Sequence, residues 1–351
     1  MTTDLLPARV AIIGAGAWGT GLAVHSARQG LKVTIWAHEP EVVEQINTDR
    51  RNQTFLPDVD LPANITAVSD LKAALSGQKL VLLVVPSHVM RVMAKKMAPL
   101  IGREAVIISA SKGIEDESSA TMVQILEEEL PADLGLTLGA LSGPSFAKEV
   151  ARGLPTAVTL AMRSRSLATA VQTHLSSPTF RIYTSLDLVG VELGGALKNV
   201  YAIATGICDG FSLGLNARAA MLPRALGEMS RVAVAMGANP LTLMGLSGMG
   251  DLILTATGDL SRNRTVGLRL GRGEKLADIL AGSRVVAEGV RNARSVHNMA
   301  LRYKVDMPMA REVYRVLYED KDPNRAMVDL LTRRLKDELD PRYQSFGEEV
   351  G

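Results

Sequence analysis

The sequence predicts an α/β N-terminal half followed by an all-helical C-terminal half. Two observations about pattern carry this. Up to about Asp187, short β-rich apolar runs alternate with helical stretches, the signature of parallel strands covered on both faces. From Leu188 to Leu339, helical spacing dominates, and only Val285–Val286 reads as a further strand candidate. A third observation is local. The first β-rich run ends in a glycine-rich turn that opens a helix. The chain therefore divides into residues 1–187, residues 188–340 and a tail, 341–351, that has little to bury and is expected to fray.

The β-rich runs are, in order, Arg9–Ile13, Val33–Trp36, Leu80–Val85 and Ala105–Ser109, with weaker candidates at Leu136–Leu141, Ala157–Leu160 and Arg181–Thr184. Consecutive βαβ units with right-handed crossovers make such a half a doubly wound sheet. In the second half, Leu222, Leu226 and Met229 form an apolar stripe, and Arg224 and Glu228 are spaced for an i,i+4 ion pair.

Composition narrows the function classes. The chain has 351 residues, enough for two buried cores, and a net charge of +2, which is neither the strong basicity of a nucleic-acid binder nor an acidic, solvating composition. Apolar residues make up 47%, so the chain is globular rather than disordered. The single cysteine, Cys208, excludes an internal disulfide framework and a multi-cysteine zinc site, and it reads as a small buried hydrophobe. Five scattered histidines do not suggest a metal cage, so no metal is expected. Val10–Val24 superficially resembles a signal segment, but its flank carries Asp4 and only Arg9. Val232–Gly250 is uncharged, yet Gly237, Asn239 and Pro240 interrupt it, so it reads as a helix end, a turn and a buried loop. A cytoplasmic protein without membrane insertion is expected.

The turn Gly14-Ala15-Gly16-Ala17-Trp18-Gly19 fits the G-x-G-x-x-G pattern in its proper place, after a strand and before a helix. Gly14 permits a tight turn, Gly16 lets the backbone approach a pyrophosphate, and Gly19 lets helix and strand pack closely. The first N–H groups of the helix and its dipole then face the phosphates. The pattern indicates a Rossmann-type sheet and a nicotinamide dinucleotide. The second strand ends in Trp36-Ala37-His38-Glu39. His38 can face the adenosine or a 2′-phosphate, and Glu39 can hold the ribose, so the choice between NADH and NADPH stays open.

Several blocks converge in order over residues 10–290: Gly14 to Thr20, Ser111-Lys112-Gly113-Ile114-Glu115, Ser142-Gly143-Pro144-Ser145-Phe146-Ala147, Glu192 to Val200 with Lys198-Asn199, Gly248-Met249-Gly250-Asp251-Leu252, Ser261-Arg262-Asn263 and Val286-Ala287-Glu288-Gly289. With them the chain resembles the bacterial-type NAD(P)-dependent glycerol-3-phosphate dehydrogenases. It departs from their common pattern at Ala17, where serine is usual, and in lacking an arginine beside His38. The resemblance implies reduction of dihydroxyacetone phosphate to sn-glycerol 3-phosphate for glycerophospholipid synthesis, and a homodimer.

Ketone reduction needs a hydride, a proton and a substrate held in line. Lys198 is the candidate proton donor: its apolar flanks shelter the amine and lower its pKa, and Gly194 and Gly195 remove bulk beside it. Lys112 follows the fourth strand, where ligands bind, and the resemblance implies that it touches both substrate and cofactor. Asp251 can offset the two lysines, orient Lys198 or accept a substrate hydroxyl; it can equally cap the helix that follows. In Ser261-Arg262-Asn263-Arg264, Ser261 or Asn263 can cap a helix whose free N–H groups join an arginine fork, a recipe for a phosphate dianion. By resemblance, Gly143 and Ser145 contact substrate, and Ala147, Arg262, Val286 and Glu288 contact cofactor, together with Gly14, Gly16, Ala17, Trp18, Gly19 and His38. Asn199 and Thr255 are secondary candidates. The rival readings are a related two-domain hydroxy-acid or imine oxidoreductase, and a non-catalytic NAD(P)-binding redox sensor.

Overall fold

The computed structural model describes residues 6–281, 287–335 and 337–338. Ten strands lie in the N-terminal half: β1 (Arg9–Ile13), β2 (Lys32–Trp36), β3 (Arg51–Asn52), β4 (Leu56–Asp60), β5 (Ile65–Val68), β6 (Leu80–Leu83), β7 (Val106–Ser109), β8 (Leu138–Ser142), β9 (Thr156–Met162) and β10 (Phe180–Ser185). Eight of them form one sheet in the order β10-β9-β8-β7-β6-β1-β2-β5. The stretch from β5 to β8 has the doubly wound order, with its switch point between β1 and β6. All seven expected runs are strands of this sheet.

Alternation builds the two faces. On β1, Val10 and Ile12 enter one core layer while Ala11 and Ile13 enter the other. Both layers are covered, which is why these strands read as continuous apolar runs rather than alternating ones.

Three features differ from expectation. β9 pairs antiparallel with β8, so β9 and β10 run against the rest of the sheet. β5 went unseen: it is four residues at the sheet edge with every second side chain exposed or half-buried. The hairpin β3–β4 is likewise unexpected, because Leu56–Asp60 buries only Leu56 and Val59 and pairs as a small separate ribbon.

Among the described residues after Ser185 there is no strand. The central element is the helix Leu188–Gly210, buried along most of its length. It needs no polar face because helices surround it. Leu226 and Met229 are buried and Leu222 packs half-buried on the same core, as their spacing suggested. Arg224 does not pair with Glu228, however; it reaches Glu338, while Glu228 is drawn inward to bind backbone N–H groups. The 232–250 stretch contains the end of the helix Gly214–Ala235, a short helix Pro240–Leu243 and a wide turn Leu246–Gly250; it is not uniformly buried, since Leu241 is exposed. No helix among the described residues is long and apolar enough to cross a membrane. The tail 341–351 and the candidate strand Val285–Val286 lie outside the described residues.

Candidate active site

The carboxyl ends of three parallel strands converge on one crevice. β1 delivers Gly14, β7 leads to Lys112 and β8 leads to Gly143. The helix Leu188–Gly210 crosses this edge and brings Lys198 to it.

The glycine turn is built on close approach. Gly14 has φ +119°, and a Cβ there would stand 2.4 Å from the Val84 carbonyl oxygen. A Cβ on Gly19 would stand 1.9 Å from the Gly14 carbonyl oxygen, so the helix Ala17–Arg28 lies directly on the turn. At Gly16 the space within 4 Å is open, leaving room for a phosphate. No side chain caps this helix at Gly16, so its first N–H groups remain available to an anion. The indole Nε1 of Trp18 is buried without a partner among the described residues. Ala147 opens the next helix over, and its carbonyl lies 3.0 Å from where a Gly21 Cβ would sit. These residues fit a dinucleotide. His38 is exposed beyond Trp36, with ring centroids 6.2 Å apart, and stands clear of the sheet.

The turn is held from outside by a residue that no motif pointed to. Buried Asn52 donates to the Ala15 carbonyl (2.8 Å) and to the Thr20 hydroxyl (2.8 Å). It comes from the hairpin missed at the sequence level, and an asparagine in a polar segment carries no distinguishing signal.

Buried Lys198 and Asp251 form one cluster with half-buried Lys112. Lys198 Nζ donates to Asp251 Oδ1 and, at 2.7 Å, to Thr255 Oγ1. Lys112 Nζ donates to Asp251 Oδ2 at 2.7 Å and to the Gly143 carbonyl at 3.1 Å. Ser145 donates to the same carbonyl at 2.9 Å. Lys198 is 6% exposed and Asp251 1% exposed. Desolvation pulls the Lys198 pKa down to about 8; Asp251 opposes the fall and the Lys112 charge adds to it. Two ammonium groups sharing one buried carboxylate leave a net positive site. Asp251 does not cap its helix; both of its oxygens face the lysines. The helix can continue through it because the turn Leu246–Gly250 already runs into it in helical conformation.

Glycines allow these approaches. A Cβ on Gly195 would stand 2.4 Å from Ser142 Oγ and 3.5 Å from Lys112 Cγ; one on Gly194 would stand 2.5 Å from the Ser247 carbonyl oxygen. The helix Arg262–Gly271 lies almost backbone to backbone on the Lys198 helix. A Cβ on Gly267 would stand 2.0 Å from the Ile203 oxygen, and one on Gly206 2.2 Å from the Arg264 oxygen.

That packing places Ser261, Arg262 and Asn263. Ser261 is the cap, its hydroxyl accepting from Arg264 N at 3.2 Å. Asn263 is not a cap; its amide donates to Asn199 Oδ1 (2.9 Å) and accepts from Gly289 N (2.9 Å). Arg264 is held by Asp209 and Asp259. Arg262 is exposed and has no carboxylate partner among the described residues. Glu288 starts the helix Glu288–Arg302. Desolvation raises its pKa, and Arg262, Lys112 and Lys198 all act against the rise, so these three cations lie within electrostatic reach of one carboxyl. Val286 lies outside the described residues. Cys208 is buried and its thiol pKa is raised by burial, as a structural cysteine's would be. Among the described residues no three His, Cys, Asp or Glu side chains come together as a metal site would require.

The model of the NAD-dependent glycerol-3-phosphate dehydrogenase N-terminus matches residues 9–168, and that of the C-terminus matches residues 187–328. The chain belongs to the NAD(P)-dependent glycerol-3-phosphate dehydrogenases. It is 51% identical to the glycerol-3-phosphate dehydrogenase [NAD(P)+] of Syntrophobacter fumaroxidans, covering 94% of this chain and 97% of the relative. Identity to the enzyme of the same name from Geobacter sulfurreducens is 50%, covering 94% and 98%. The crystal structure of glycerol-3-phosphate dehydrogenase from Coxiella burnetii is 40% identical, with a TM-score of 0.89, and covers 93% of this chain and all of that one. As a glycerol-3-phosphate dehydrogenase, the protein is an NAD(P)-dependent oxidoreductase. Of the expected residues, Lys112, Gly143, Ser145, Lys198, Asp251 and Thr255 come together in one hydrogen-bonded cluster, while His38 is exposed.

Proposed function

We propose that this protein reduces dihydroxyacetone phosphate to sn-glycerol 3-phosphate with NADPH or NADH, reversibly, and so supplies phospholipid synthesis. The cluster of Lys112, Asp251 and Lys198 at the carboxyl edge of the sheet carries this reading. A bound nicotinamide supplies the hydride. Lys198 gives its proton to the carbonyl oxygen as that oxygen becomes a hydroxyl, and takes one back in the reverse direction. Lys112 stabilises the developing negative charge, and Asp251 holds both amines on the reacting oxygen. Gly143 and Ser145 line the substrate's path.

The phosphate is held by the N-terminus of the helix Arg262–Gly271, with Arg262 as its mobile cation. Asn263 keeps one amide hydrogen for it. Gly14, Gly16, Ala17, Trp18, Gly19, His38, Lys112, Ala147, Arg262 and Glu288 hold the cofactor. In this reading residues 1–187 are the cofactor unit and 188–340 the substrate unit. A homodimer and a cytoplasmic location complete it, both resting on likeness to the family.

The test follows absorbance loss from NADPH, and separately NADH, with dihydroxyacetone phosphate. Rapid oxidation is expected; folded protein that binds cofactor but oxidises neither would overturn the reading. Arg262→Ala should raise KM for dihydroxyacetone phosphate roughly 10- to 100-fold, the loss of one charge-assisted contact, with a much smaller effect on glyceraldehyde reduction, which reports only the cofactor contact. Equal loss for both substrates would remove Arg262 from the phosphate.

A further inference from the structure

The helix that carries Lys198 also carries a buried carboxylate with no part in the proposed chemistry. Glu192 lies six residues before Lys198, about 9 Å along the axis and on a different face. Its Oε2 accepts from the Thr121 hydroxyl at 2.7 Å, and its Oε1 accepts from Val123 N at 2.8 Å. Thr121 is the cap of the eight-residue helix Met122–Glu129, in a capping box with Gln124. The carboxylate therefore sits on a helix N-terminus in the sheet-bearing half, where N–H groups and dipole both favour it. The Arg163 charge also acts on it, and Arg163 is itself paired with Glu127.

The neighbouring surface explains why such a joint is needed. Between Glu192 and Lys198 the helix presents Gly194 and Gly195 to the backbone at Ser247 and to Ser142. At those two contacts glycine presents no knob, so the rotation of the helix is set by its other faces, where Leu193 and Leu197 pack in the core and Glu192 makes directional bonds to Thr121 and Val123. A lysine amine stands several ångströms beyond the helix surface, so a rotation of about 10° displaces it by roughly 1 Å. A displacement of that size at a reacting group can lower a rate by about 10²-fold.

We propose that Glu192 is a positioning residue for Lys198: seated on Thr121 and Val123, it sets the rotation of the helix at which the amine meets Asp251 and Thr255. This rests on the reading of Lys198 as proton donor. Burial pushes the Glu192 carboxyl up to about 7, against the pull of its Thr121 and backbone partners. The joint therefore loses one acceptor by protonation at or just below neutrality, and that provides a signature.

The experiment compares Glu192→Gln, Thr121→Val and Thr121→Ser with the unaltered protein. In Glu192→Gln, kcat should fall roughly 10- to 100-fold with NADPH affinity within about twofold, and the acid limb of kcat near pH 7 should disappear. Thr121→Val should reproduce the loss with the carboxylate still in place, and Thr121→Ser should restore it. A second readout needs no turnover. The pH midpoint for acylation of Lys198, followed by mass spectrometry, should lie near 8 and move down in Glu192→Gln and Thr121→Val as the amine loses Asp251. An unchanged midpoint, a kcat within twofold, or a kcat loss that merely tracks the folded fraction would overturn the proposal. If the unaltered protein does not reduce dihydroxyacetone phosphate, the functional reading fails, while the Lys198 midpoints still decide the role of Glu192.

Discussion

Lys198 illustrates how a residue's surroundings set its chemistry. Its apolar flanks in the sequence foretold shelter, and shelter lowers an amine's pKa. They did not reveal that one carboxylate would serve two lysines, because Asp251 is more than fifty residues away in sequence and arrives through a different helix. The consequence is a pH dependence with a definite sign. With Lys198 as the proposed proton donor, reduction needs the protonated amine, so kcat for dihydroxyacetone phosphate should fall as pH rises through about 8, and oxidation of glycerol 3-phosphate should rise over the same range. Asp251→Asn removes the charge that holds this pKa up. Desolvation and Lys112 are then unopposed, so the limb should move to lower pH, with activity near neutrality down by about 10²-fold. A limb that stays in place would show that Asp251 does not tune Lys198.

Among the elements, the helices Leu188–Gly210 and Arg262–Gly271 depend on glycine in a way that helix propensity alone would count against them. Gly206, Gly210, Gly267 and Gly271 each face the other helix's backbone, and a Cβ at any of them would fall well inside contact distance. Gly267→Ala should cost about 1–3 kcal/mol through overpacking and should push Ser261 and Arg262 away from the crevice. A lower melting temperature with a raised KM for dihydroxyacetone phosphate is expected. If stability falls but KM holds, this packing supports the fold without placing the phosphate site. The strands divide along the same physical line. β1, β2, β6 and β7 announced themselves as β-rich apolar runs in the covered middle of the sheet, while β8, β9 and the edge strand β10, which alternates buried and exposed residues, gave weaker ones. β5 at the edge and the largely exposed β4 did not, since neither buries enough to leave a pattern. The reversal of β9 and β10 has no local signature at all, because strand direction belongs to the connection and not to the run.

For the molecule as a whole, two buried carboxylates join the halves of the structure to the central helix. Glu192 ties it to the helix Met122–Glu129. Glu228 accepts from Met309 N (2.8 Å), Ala310 N (3.2 Å) and the Tyr201 hydroxyl (3.1 Å), tying the helices Gly214–Ala235 and Pro308–Tyr318 to it. Burial pushes both carboxyls up to about 7. A raised folded pKa means that the folded state binds more protons between about pH 4.5 and 7. The contribution is complete below that window and lost as pH rises through it. Denaturant unfolding should therefore show stability declining from about pH 5 to 8, by up to roughly 3 kcal/mol for each carboxyl, with a shallower slope in Glu228→Gln. An unchanged slope in that variant would assign the titration elsewhere. The misjudged Arg224–Glu228 pair belongs here too. Spacing on one helix suggested a surface pair, but two unpaired backbone N–H groups at the start of a neighbouring helix made the interior the better place for the carboxylate.

What could be read along the chain was whatever local geometry demands: the class of each half, the glycine turn and its anion-ready helix, the sheltered lysine and the helix cap at Ser261. Backbone sterics and burial impose these within a few residues, so they leave a local mark. The sharing of Asp251 by Lys112 and Lys198, the locking of the turn by Asn52, the roles of Glu192 and Glu228 and the direction of β9 depend on which distant segments come to lie together. Only packing of the whole chain brings those partners within a hydrogen bond, and no spacing in the sequence records it.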